Sequence, residues 1–118
     1  GPHARRVADL AARARVDRAA FDPPASPPAP ERALAYLRDG AGQAILVYVD
    51  AHVEGHDRFA PAEYDALERA MNDWLALYSR CHGEAIEPDA TLRTAAELLL
   101  ETRDLRDVAR TLTHVPAD

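Results

Sequence analysis

The strongest helical periodicity in the chain lies between Phe59 and Gly83, in FAPAEYDALERAMNDWLALYSRCHG. Tyr64, Leu67, Met71, Trp74, Leu75 and Tyr78 recur at three- and four-residue intervals, which places them on one broad apolar face. Pro61 suits a first helical position, and Glu63 puts a carboxylate at the electropositive end. With Ala60 as N-cap, Phe59 and Tyr64 have the spacing of a hydrophobic staple. Gly83 can take the left-handed conformation that ends a helix. This one segment holds the only Trp and the only Met, so these six residues are the expected core.

Other segments carry weaker patterns. From His3 to Phe21, Val7, Leu10, Ala11 and Ala14 make a thin apolar stripe among Arg5, Arg6, Arg13, Arg15 and Arg18. Such a helix is marginal alone and needs a partner surface to persist. Residues 22–30, DPPASPPAP, hold five prolines in nine positions and read as an extended spacer of about 25 Å. The expected organisation is therefore a basic helical arm (1–21), a Pro-rich linker (22–30) and a helical domain (31–118).

Within that domain, Glu31 to Asp39 reads as a short helix anchored by Leu34, Tyr36 and Leu37, ended by Gly40 and Gly42. Gln43 to Val53, QAILVYVDAHV, fits two periods. Alternation puts Ile45, Val47, Val49, Ala51 and Val53 on one face of a strand, and the β-branched content agrees. A period of 3.6 puts Ile45, Tyr48, Val49, His52 and Val53 on one face of a helix. A strand needs a neighbour, and no second strand candidate exists in the chain. Helix is the expectation; the alternative is an α+β arrangement with 43–53 paired across a dimer. Pro88 and Asp89 are expected to open a further helix through Leu92, Ala95, Ala96 and Leu99, and Thr102 to cap a last one through Leu105, Val108, Ala109 and Leu112. The fold class is all-α, a compact bundle of four or five helices.

Composition changes the picture in a few respects. All fourteen basic residues are Arg, which with abundant Ala is the amino-acid usage of a GC-rich, bacterial genome. Residues 1–30 carry net +2 and the remainder −8, so an acidic body disfavours a phosphate backbone and leaves only the basic arm as an exception. The single Cys81 excludes an intramolecular disulfide and fits a reducing cytoplasm. The longest strongly apolar run, Ala44 to Val49, is too short to span a bilayer. The leading Gly1-Pro2 reads as a protease scar, so a native start is not expected there.

Candidate chemistry is sparse. His52 and His56 stand at i and i+4 in DAHVEGHD, and Cys81 or His82 could supply mixed N/S ligands to zinc. The string HVEGH lacks the Glu directly after the first His that a zinc protease needs, and Gly55 weakens the helix beside the second. Cys81 and His82 are adjacent, point in different directions and sit at a helix C-terminus, which opposes thiolate formation. Arg103, Arg106 and Arg110 could form a DNA-reading helix, but Asp104 and Asp107 interleave with them. No phosphate loop, nucleophile elbow or paired CxxC is present, and no cofactor is called for beyond that zinc alternative.

The expected function is a non-enzymatic interaction or regulatory domain that self-associates or binds another protein. Val7 and Leu10 are its anchors and Arg6 and Arg13 flank them. The alternatives are a metal-binding protein using His52 and His56, and a DNA-associated regulator working through the arm or the last helix.

Overall fold

A computed structural model describes residues 3–53 and 59–117. Among the described residues every regular element is helical: α1 (Ala4–Ala20), α2 (Pro30–Tyr36), a π-helical turn (Leu37–Ala41), α3 (Gly42–Val53), α4 (Pro61–Cys81), α5 (Leu92–Thr102) and α6 (Leu105–Thr113). The chain is an all-α bundle organised around α4, which packs against α1, α2, the π turn, α3 and α6.

The core is built from the face anticipated on α4. Leu67, Met71, Trp74, Leu75 and Tyr78 are buried, whereas Tyr64 is only half-buried near the helix start. Each large apolar side chain removed from water here contributes about 1.5–3 kcal/mol. Glu63 accepts a hydrogen bond from the Ala60 N–H at 2.9 Å and so satisfies a donor at the start of α4. Phe59 stacks on Tyr48 of α3 at 6.4 Å, and Tyr64 meets the same ring edge-on at 6.3 Å. At the other end, Gly83 has φ 84°, its N–H bonds the Arg80 carbonyl and the Glu84 N–H bonds that of Ser79. These are the paired bonds of a Schellman cap.

The expectation of a separate arm is corrected by the packing. The main partner of α1 is α4, and Val7, Leu10 and Ala14 are buried in the common core. At the far end of α1, Asp17 accepts the Trp74 indole N–H at 2.8 Å, and Arg18 pairs with Asp73 at 2.9 Å. A thin stripe suffices because both flanks carry polar partners. The proline segment is likewise strapped to the body. The Ala29 N–H bonds the Cys81 carbonyl at 2.7 Å, and the Arg32 guanidinium lies over Phe21 and reaches the Asp22 carbonyl at 2.7 Å. Five prolines stiffen the path across the surface without holding the arm away.

Residues 43–53 are helical, so the paired-strand alternative falls: amphipathic docking against the π turn, α5, α4 and α1 overrides the local β preference of Ile45, Val47 and Val49. Nor do Gly40 and Gly42 end a helix. The Gly42 N–H bonds the Leu37 carbonyl five residues back, and α2 runs through the π turn into α3. Further on, α5 starts at Leu92, later than Pro88 suggests, because residues 84–91 are tied down as an irregular crossing. Asn72 bonds both the N–H and the C=O of Ala90, and Glu68 accepts the Leu92 N–H. Thr91 is the N-cap. Thr102 closes α5, and Asp104 caps α6 by accepting from the Arg106 and Asp107 N–H groups.

Candidate functional site

The residues singled out from sequence fall into three places. Val7 and Leu10 are buried against the body and are not available as anchors for another protein. Arg6 pairs with Asp50 at 3.4 Å, and Arg13 donates to the Asp39 carbonyl at 2.7 Å while lying 5.7 Å over the Trp74 ring. These contacts bind α1 to its own bundle.

Of the candidate metal ligands, the described ones lie in different places. His52 stacks on Tyr48 at 6.4 Å and lines a groove between α3 and α5. His82 meets the Tyr78 ring edge-on at 5.0 Å and lines a separate cavity beside α2 and α6. Cys81 is fully buried, and burial pushes its thiol up despite the opposing Arg32 charge. His56 lies outside the described residues. Among the described residues no three of His, Cys, Asp and Glu form a group able to hold a metal ion.

Of the arginines proposed for DNA reading, Arg103 sits at the α5–α6 corner with φ 55°. Arg106 and Arg110 line the cavity that α6 shares with α2. A further charge cluster joins α1, α4 and the 84–91 crossing: Glu87 accepts from Arg18 at 2.7 Å and from Arg80 at 2.6 Å. The Arg18 hydrogen bond holds the Glu87 carboxyl below the usual range against a smaller opposing effect of burial. This cluster fastens elements together.

Two surface features have the shape of binding regions. The first is the groove of about 430 Å³ between α3 and α5, lined by Tyr48, Val49, Val53, Ala96 and Leu100, with Arg93 and Glu97 beside them. Val53 is 79% exposed and Leu100 62%, and Leu46, on the same stripe of α3, is 40% exposed. The second is a cavity of about 370 Å³ between α2, the end of α4 and α6. Its wall is Ala33, Leu34 and Leu37, with Pro30 and Pro116 at the edges and Glu31, Arg106, Asp107 and Arg110 around it. Tyr78 and His82 complete the lining. The Tyr78 hydroxyl donates to the Val115 carbonyl at 2.6 Å, and burial raises its pKa against the Arg110 charge. Burial also lowers the pKa of His82, which keeps its imidazole neutral near pH 7.

Residues 2–117 match the model of a family described as a domain of unknown function, DUF8055. The chain belongs to this family. Neither a curated protein nor a solved structure matches it. Both features were missed from sequence. For the groove a signal existed: on a helical wheel Leu100 lies off the buried Leu92–Ala95–Ala96 face. For the cavity none did, because it joins residues some 70 positions apart.

Among the described residues, no helix is long and apolar enough to cross a membrane.

Proposed function

We propose that this protein is a non-enzymatic interaction domain that pairs with a second copy of itself through the α3–α5 face. The observation that carries this reading is the apolar strip of Leu46, Val53 and Leu100, which gathers on one face three of the four large aliphatic side chains that the described residues leave exposed, Val16 on α1 being the fourth. An exposed contiguous apolar patch with a polar rim is the usual mark of a protein contact.

The charges beside the strip favour a second copy as its occupant. Arg93 and Glu97 lie one turn apart on α5, 3.9 Å from each other and mostly exposed. Across a two-fold axis, Arg93 of one copy can face Glu97 of the other and the reverse, so the patch is complementary to itself. A groove flanked by charge of one sign would instead select an oppositely charged partner. The pair sets register; the apolar strip supplies the affinity, because exposed ion pairs contribute at most about 1 kcal/mol.

Sedimentation equilibrium of the protein and of Leu100→Glu tests the reading. The expected result is a dimer that becomes a monomer in the variant while the circular dichroism spectrum is unchanged. A monomer at every attainable concentration, or a dimer indifferent to Leu100→Glu, would remove the α3–α5 face as the pairing surface.

A further inference from the structure

We infer that the cavity between α2, the end of α4 and α6 binds a small zwitterion with an apolar body, of the class of an aliphatic α-amino acid. The inference is independent of the pairing reading, since the cavity uses α2 and α6 and the pairing face uses α3 and α5.

Size and lining set the body of the ligand. A volume of about 370 Å³ lies at the lower end of small-molecule pockets, and its wall of Ala33, Leu34 and Leu37 is apolar. Such a wall rewards a short aliphatic chain and gives no purchase to a sugar or a nucleotide.

The charged groups set its ends. Arg106 and Arg110 stand one turn apart on α6, and Arg106 offers a guanidinium fork suited to a carboxylate. Between them in sequence is Asp107, and Glu31 lies at the start of α2, so acceptors for an ammonium border the same space. Among the described residues, the side chains of Glu31, Arg106 and Asp107 have no partner. A simple anion would gain Arg106 but meet two carboxylates, and a simple cation would gain the carboxylates but meet Arg106. Only a ligand with both charges satisfies Arg106 and the carboxylates together. Tyr78 agrees with this. Its proton is committed to the Val115 carbonyl, so towards a ligand its oxygen acts as an acceptor, as an ammonium requires.

The test is isothermal titration calorimetry of the whole chain with L-leucine, glycine, N-acetyl-L-leucine and L-leucinamide. L-Leucine is expected to bind with a Kd of roughly millimolar or tighter, and each of the other three at least roughly tenfold more weakly. Arg106→Gln should weaken L-leucine by a similar factor and leave L-leucinamide unaffected. Asp107→Asn should weaken L-leucine and leave N-acetyl-L-leucine unaffected. The inference is overturned if L-leucine gives no heat at millimolar concentration. It is equally overturned if N-acetyl-L-leucine or L-leucinamide binds as well as L-leucine, or if glycine does. Those comparisons are made on the unaltered protein and stand even if a variant fails to fold.

Discussion

The backbone of Gly40 lies directly against the indole of Trp74. A Cβ at position 40 would stand 2.5 Å from both Cγ and Cδ2 of that ring. Trp74 cannot retreat, because it is fully buried and its N–H is held by Asp17. The π turn thus brings α2 and α3 close to the central helix at the one point where a side chain is missing. Within helical structure, glycine to alanine ordinarily stabilises by about 0.5–1 kcal/mol. Here the sign reverses. Gly40→Ala should destabilise by about 1–3 kcal/mol, the range for overpacking a close-packed core. Urea unfolding followed by Trp74 fluorescence measures it, and a stabilised variant would contradict the contact.

At Arg103 the opposite substitution should help. Its φ of 55° places a non-glycine residue in the left-handed region at the end of α5, where its N–H bonds the Leu99 carbonyl. The side chain is exposed, so little is lost with it. Arg103→Gly should raise stability by up to about 1 kcal/mol, since glycine avoids the left-handed penalty but gains entropy when unfolded. A thermal midpoint below that of the parent would argue against this corner geometry.

Leu10 decides between a docked and a detached first helix. It is buried with Val7 and Ala14 in the core. Leu10→Ala should cost about 2–4 kcal/mol through lost burial and a residual cavity. On a solvated arm the same change would stay within about 0.5 kcal/mol. The chemical denaturation midpoint separates the two.

Acid should loosen the joint between α1, α4 and the 84–91 crossing. The Glu87 pKa is lowered in the folded chain, chiefly by the Arg18 hydrogen bond. Its contribution to stability is therefore fully present above the unfolded carboxylate pKa of about 4.3 and is lost as pH falls through the lower folded value. The Glu87 side chain is 60% exposed, so solvent screening keeps that contribution below about 1 kcal/mol. Glu87→Gln should lower stability at pH 7 and converge with the parent near pH 2–3. Paired urea titrations at the two pH values read the difference, and an equal gap at both would exclude Glu87 as the source.

Much of this protein was decided locally and could be read in order along the chain. The apolar face of α4 and its Gly83 cap follow from spacing and from the freedom of glycine at positive φ, and both stand in the structure. The all-helical class follows from the want of any second strand to pair with residues 43–53. What the sequence did not determine is where elements of weak or ambiguous pattern settle. The stripe of Val7, Leu10 and Ala14 is equally consistent with a free arm and a docked one, and it is docked because Asp17, Arg18 and Arg13 find partners on α4 and the π turn. Gly40 and Gly42 read as helix ends in one dimension, yet in three they are points of close approach to Trp74 and Leu105. The apolar groove and the charged cavity exist only once α3 meets α5 and α6 meets α2, so their chemistry is a property of the packing and of no single stretch of sequence. Local preferences are short-ranged and act within a turn or two; the choice of neighbour depends on shape and charge between distant segments, and that choice belongs to the tertiary structure.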